Sequence, residues 1–297
     1  MAELSTFAVT KNTLGESPFW HEGRKSVFWV DIEKGLLLEQ GLLSENIASW
    51  EVGKMISVIL SFEGDKLLLG SQDGIGTFDL ITAQWKLKVP IEIDNISQRS
   101  NDGTFDINGN IWIGNMHLEA KEDLGILYRI EEDMRVLKVK GNLTIPNGLV
   151  FSSDNQQMYF IDTPTRTVKA FSMDQFGELL SEKAAIVIPE NMGMPDGMTI
   201  DNKGMLWVAL YGGAAVSRWN PENGALLETI AIPALHVTNC CFVGEELNEL
   251  IVTSAKENLT DTQLAMYPQS GNVFSIKNLG VCGVKMLSHK PSTTFFQ

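Results

Sequence analysis

Pro195-Asp196-Gly197-Met198-Thr199-Ile200-Asp201-Asn202-Lys203-Gly204-Met205-Leu206-Trp207-Val208-Ala209 places an acidic residue eleven positions ahead of the centre of a strongly apolar strand, with an Asn-Lys-Gly turn between them. The pattern recurs along the chain. Apolar strand centres fall at Phe28, Leu68, Trp112, Tyr159, Trp207 and Ile251, separated by 40, 44, 47, 48 and 44 positions. Eleven or twelve positions ahead of each stands a small polar or acidic residue: Glu16, Ser57, Asn101, Asn147, Asp196 and Asn239. A β-type repeat of this length is the mark of radial repetition, in which each unit is a small sheet set around a central channel. Residues of equal phase then converge on the axis, and here they carry oxygen donors.

The turns ahead of the marker strands, among them Glu63-Gly64-Asp65, Asn108-Gly109-Asn110 and Ser153-Asp154-Asn155, supply the residues that tight hairpins require. Segments such as Ile126-Leu127-Tyr128-Arg129-Ile130 and Val168-Lys169-Ala170-Phe171 read as the strands that follow. No sustained 3.6-residue apolar period and no Pro- or Ser-rich linker interrupts the series. The expectation is all-β: one domain over residues 1–297, a six-bladed β-propeller of four-stranded antiparallel blades with a central metal site. Closure should join strands from the two ends, so the Thr6-Phe7-Ala8-Val9 run and the Val281 to Leu287 run are expected in the same or adjoining sheets. Trp20, Trp29, Trp112 and Trp207 are expected to pack between blades.

The chain has 297 residues, 44% of them hydrophobic and 20% charged, enough for a sizeable core. A net charge of -14 opposes binding to nucleic-acid phosphates or to anionic membranes, both of which need a basic face. No apolar run approaches the length of a membrane helix. Residues 1–11 lack a basic start and an apolar core, so the expected location is cytoplasmic. Cys240, Cys241 and Cys282 are odd in number and lack metal-ligand spacing, as reduced, mostly buried thiols would. His21, His117, His236 and His289 show no nucleophile spacing with a serine, which disfavours a serine hydrolase.

Hard cations take carboxylate, amide and water oxygens. Glu16, Asn147 and Asp196 meet that description, and Asn101 is a candidate fourth. Taken singly, an Asn or Asp in a β protein reads as a turn residue. Their shared phase implies more, because ionised carboxylates facing one another across a channel repel unless a cation or protons intervene. Calcium is the preferred cation, with zinc, magnesium and manganese also compatible with such donors.

Leu14-Gly15-Glu16-Ser17-Pro18-Phe19-Trp20, Arg99-Ser100-Asn101-Asp102-Gly103, Pro146-Asn147-Gly148-Leu149 and Pro195-Asp196-Gly197 resemble, in order and at matching intervals, the four signature segments of the SMP-30/gluconolactonase/luciferin-regenerating-enzyme family of regucalcin-like sugar lactonases. The resemblance continues through Ile113-Gly114-Asn115-Met116 and Thr253-Ser254-Ala255 to Ser270-Gly271-Asn272-Val273-Phe274. It implies one divalent cation held by Glu16, Asn147 and Asp196, with Asp196 also the general base. By the same match Asn101, Arg99 and Glu119 would contact the substrate, a small sugar lactone hydrolysed to its aldonic acid by a monomer or weak homo-oligomer. Alternatives are a non-enzymatic calcium-binding or regulatory propeller, and a hydrolase of another ester or phosphoester. Ser17 stands where the family commonly has glycine, Ser100 where it has an aromatic residue and Asn115 where it often has threonine.

Overall fold

The computed structural model describes residues 2–92, 95–284 and 293–296. Six four-stranded antiparallel sheets follow one another along the chain as blades. The first five span residues 15–51, 56–90, 98–143, 146–187 and 194–231. The sixth takes His236–Val243, Glu249–Ala255 and Val273–Lys277 from the C-terminal part and Glu3–Ala8 as its outermost strand. Glu3 pairs with Lys277 and Thr6 with Phe274, so the N-terminal strand closes the ring. The Val281 to Leu287 run forms no strand in its described part. Gly283 makes a single bridge to Asp201, beside the adjoining fifth blade, and residues 285–287 lie outside the described set.

Burial follows the radial order. Second strands such as Ser26–Asp31, Ile111–His117 and Glu249–Ala255 are buried along their whole length, because a neighbouring blade covers each face. Outer strands such as Gln84–Pro90 and Ala225–Ala231 alternate or face solvent. Apolar side chains accordingly gather into six clusters, one in each gap between adjacent blades, rather than one central core. Trp29, Trp112 and Trp207 are fully buried in these gaps, while Trp20 is half-buried against one. Phe295 and Phe296, near the C-terminus, fill the gap between the second and third blades. Each such aliphatic or aromatic side chain contributes about 1.5–3 kcal/mol by leaving water. The axis is left to polar groups.

The turn between first and second strands is fixed by the same device in the third and fifth blades. Asp106 and Asp201 each accept from the indole Nε1 of the following tryptophan, Trp112 at 3.0 Å and Trp207 at 3.1 Å. Arg129 and Arg218 lie over those indoles at 5.7 and 5.8 Å from the ring centroids. Asp201 also accepts from the backbone amides of Lys203 and Met205 and from Arg218 Nε at 2.7 Å, all while fully buried. The helix Asp261–Met266, capped by Thr260 and Gln263, is the one α-helix among the described residues, and none is long and apolar enough to cross a membrane.

Removing the Asp201 carboxylate would strand a largely buried guanidinium and an indole N–H without their acceptor. Asp201→Ala should therefore lower the unfolding free energy by about 3–5 kcal/mol in urea titrations. A loss within experimental error would show that the aspartate does not hold the turn.

Candidate active site on the propeller axis

All six innermost strands carry a register shift at the same phase. The irregularities lie between Glu16 and Phe19, Ile56 and Val58, Ser100 and Gly103, Asn147 and Leu149, Pro195 and Met198, and Val237 and Asn239. A bulge leaves a residue unpaired and re-aims side chains, which is how a strand otherwise committed to the blade presents polar groups to the channel. Glu16, Arg99, Asn101, Asn147, Asp196 and Asn239 are all buried there, none more than 9% exposed.

Hydrogen bonds then link blade to blade around the axis. Asn101 Nδ2 donates to the carbonyl of Pro146 at 2.9 Å. Asn147 Nδ2 donates to Asp196 Oδ1 at 2.5 Å and to Thr163 Oγ1 at 3.1 Å. Asn239 Nδ2 donates to Glu16 Oε2 at 2.9 Å, joining the sixth blade to the first. Ser57 and Ser100 share a 2.7 Å hydroxyl contact between the second and third blades. Ser17 accommodates its departure from glycine in a left-handed conformation, φ 49°, and its Oγ accepts from the Ile59 amide at 2.8 Å. The Ser17 amide in turn donates to Glu16 Oε2 at 2.8 Å.

The spacing between inner strands explains the glycine that follows the ligand-type residues. A Cβ on Gly197 would stand 2.1 Å from Asn239 Cγ, and one on Gly148 would stand 2.7 Å from the Asp196 carbonyl oxygen. Neither gap admits a side chain.

Burial dominates the electrostatics. It pushes the Glu16 carboxyl up to about 8, with the nearby Asp102 charge adding to the shift. Asp196 is held well above the usual carboxylate range by burial first and by Glu16 second. Asp102, half-buried and accepting from the Gly103 amide at 2.8 Å, is pushed up to about 7 by burial. Burial pushes the Arg99 guanidinium down, opposed by Glu257, Glu16, Glu33 and Asp196. Arg99 Nη1 donates to Asn101 Oδ1 at 2.6 Å and to its neighbour's carbonyl, that of Ser100, at 2.9 Å. A crowd of buried oxygen donors that disfavours its own ionisation suits a hard divalent cation. Glu16, Asn147 and Asp196 fit that role by donor chemistry. No cluster of three or more His, Cys, Asp or Glu occurs among the described residues, so any such site would combine carboxylate with amide oxygen.

Glu119 stands apart from this group. Its side chain is 71% exposed and its carboxylate pairs with Lys121 at 2.8 Å, in the segment that follows Ile111–His117. His117 is buried and its Nδ1 accepts from the Glu119 amide at 3.1 Å. Asn115 is also buried, with Oδ1 lacking a hydrogen-bond partner. Residues that sequence reasoning passed over lie close to the axial set. Asn239 had the right phase, and Asp102 sits within a quoted signature, so both had a signal. Tyr211, His236 and Glu257 had none. The rings of Tyr211 and His236 stack 3.8 Å apart and 6° from parallel. His236 is buried, its Nδ1 has no hydrogen-bond partner, and burial pushes it down to about 4.

A six-bladed propeller with buried carboxylates, amides and a guanidinium converging on its channel defines a ligand-binding or hydrolytic propeller. The chain belongs to the SMP-30/Gluconolactonase/LRE-like family, whose model matches residues 14–256. It is 32% identical over 273 residues, 90% of this chain and 92% of the other, to YvrE of Bacillus subtilis, which carries the provisional name of a sugar lactone lactonase. It is 30% identical to regucalcin of Danio rerio over 94% of this chain and 95% of that protein. The crystal structure of a calcium-binding protein, regucalcin, from Agrobacterium tumefaciens superposes with a TM-score of 0.87 at 29% identity, covering 91% of this chain and 92% of that one.

Two outcomes follow from this geometry. Gly197→Ala must displace Asn239, and with it the hydrogen bond that Asn239 donates to Glu16. It should lower stability by about 1–3 kcal/mol in denaturant titrations, whereas an alanine at no cost would contradict the close approach. His236 should give stability an acid-side slope. Its folded value lies below the unfolded one, so the unfolded chain binds more protons, and stability present above pH 6.5 is lost as pH falls toward about 4. His236→Phe should flatten melting temperature against pH in that window, and an unchanged slope would assign the acid sensitivity elsewhere.

Proposed function

We propose that the protein hydrolyses a sugar lactone to its aldonic acid with the help of one divalent cation, calcium by preference of the donor set. The observation that carries the reading is the neighbourhood of Arg99 and Asn101 to the buried Glu16 and Asp196. A site that only stored an ion would not need a buried guanidinium beside it. The family and the name of the Bacillus relative support the same activity. The calcium-binding description of the Agrobacterium protein supports calcium, and it also keeps a purely ion-binding role as the second reading.

Glu16, Asn147 and Asp196 would hold the cation, which when bound polarises the lactone carbonyl and stabilises charge growing on its oxygen. Asp196 accepts a proton from water as that water adds to the carbonyl carbon. It returns the proton to the ring oxygen when the acyl C–O bond breaks, giving the hydroxy acid. Its burial and its neighbour Glu16 raise its proton affinity, which opposes the lowering that a bound cation would impose. Asn147 orients the carboxylate through its 2.5 Å bond to Oδ1. Arg99, preset by Asn101, donates to substrate oxygens and cannot itself ligate a cation.

The test is a pH-stat assay against glucono- and galactonolactones on chelator-treated and cation-reloaded protein, with cation occupancy measured on each sample. Reloaded protein should turn over, chelated protein should not, and circular dichroism should show the β fold in both. Asp196→Asn, compared at full occupancy, should lose about 10²- to 10⁴-fold in kcat. Near-native turnover by cation-loaded Asp196→Asn would move the base elsewhere, and absence of turnover by the reloaded wild-type protein would leave ion binding as the function.

A further inference from the structure

The end of the propeller that carries Glu16 and Asp196 also holds a constellation that the hydrolytic roles leave unused. Glu257 follows the strand Glu249–Ala255, and its amide donates to the carbonyl of Thr13 at 2.9 Å, three residues ahead of Glu16. Tyr211 ends the strand Leu206–Tyr211 opposite Met194, two residues ahead of Asp196. Its hydroxyl donates to Glu257 Oε1 at 3.4 Å, and its ring lies flat on His236, which opens the strand bearing Asn239. Three blades, the third, fifth and sixth, therefore bring Arg99, Tyr211, His236 and Glu257 to the same mouth.

Three properties of this group point to a ligand. Glu257 is the foremost charge acting on Arg99, yet the guanidinium spends its two hydrogen bonds on Ser100 and Asn101 rather than on that carboxylate. The two charges oppose each other without an ion pair. His236 is more than nine-tenths buried and stacks flat on one face of Tyr211, which fixes that ring in place at the mouth. Tyr211 remains half-buried, so part of a rigid aromatic surface stays open beside a donor and an acceptor.

We propose that Tyr211, His236 and Glu257 form the selecting wall of the channel mouth, which favours neutral polyhydroxylated rings over anionic ones. The inference rests on the lactonase reading and specifies its substrate class. A hydroxyl can donate to Glu257 while another oxygen accepts from Arg99, and the C–H face of a sugar ring can lie on Tyr211, whose other face His236 backs. A carboxylate seated on Arg99 would instead face Glu257, with Glu33 adding negative charge from the first blade. The same field expels the aldonate product once the neutral lactone has opened to an anion.

Two ring-matched sugars that no lactonase hydrolyses, methyl β-D-glucoside and methyl β-D-glucuronide, separate these effects when titrated by NMR into cation-loaded full-length protein. The wild type should bind the glucoside more tightly. Glu257→Gln preserves shape and an acceptor for Tyr211 but removes the charge, so it should shift the affinity ratio toward the glucuronide by about tenfold. Tyr211→Ala should weaken both sugars. An unchanged ratio in a folded, cation-binding Glu257→Gln protein, or no binding of either sugar to the wild type, overturns the proposal. A parallel lactone assay keeps the two readings apart. Discrimination without lactone turnover removes the hydrolytic reading alone, whereas turnover with an unchanged ratio removes only the selecting wall.

Discussion

The antiparallel pairing of Glu3–Ala8 with Val273–Lys277 is the constraint on which the rest of the molecule depends. It brings the two ends of almost the whole chain together, at a loop-closure cost on the order of 5 kcal/mol. The return is the last of the six gaps, where Ala8, Val27, Trp29, Val243, Ile251 and Val273 leave water together. Closure also sets the first blade beside the sixth on the axis. Without it Asn239 could not donate to Glu16, and Thr238 could not donate from the sixth blade to the carbonyl of Gly15.

A ring whose core lies in the gaps between blades has no apolar centre to fill. Innermost strands meet at close quarters, as the space beside Gly197 and Gly148 shows, and their bulges turn polar side chains inward. The blade-to-blade hydrogen bonds of Asn101, Asn147, Asn239 and Ser57 satisfy most of those groups. The bonds that Asn239 and Asn147 give Glu16 and Asp196 do not offset the burial of those acids. Burial disfavours the ionisation of Glu16, Asp102 and Asp196, with Asp102 adding to the shift of Glu16 and both adding to that of Asp196. On the proposed reading, a bound cation would relieve that cost, and so would a proton taken from water.

The site is thus rigid at its floor and more open at its mouth. The axial residues lie on strands tied into sheets, whereas Glu119 and Glu257 follow second strands and face different surroundings. Glu119 is out in solvent with Lys121, and Glu257 is half-buried near Arg99. The proposed chemistry thus falls on the scaffold and the proposed ligand choice on a segment that leaves it, a division that lets one fold vary its substrates.

The sequence by itself determined the six-fold count, the strand order within blades and the residues of equal phase, because alternation, turn composition and spacing are local properties that survive without neighbours. It also carried the family resemblance through four short signatures, and with them the axial set Glu16, Asn101, Asn147 and Asp196. Only the tertiary structure decided that Glu3–Ala8 pairs with Val273–Lys277 while Gly283 merely bridges to Asp201, since closure is a competition between distant segments for one edge. Only the tertiary structure showed Asn239 on Glu16, Asp102 acting on both axial acids, and Tyr211 and His236 stacked beside Glu257. Those contacts join residues from separate blades. No spacing along the chain encodes them, because they exist only after each blade has taken its angle around the axis.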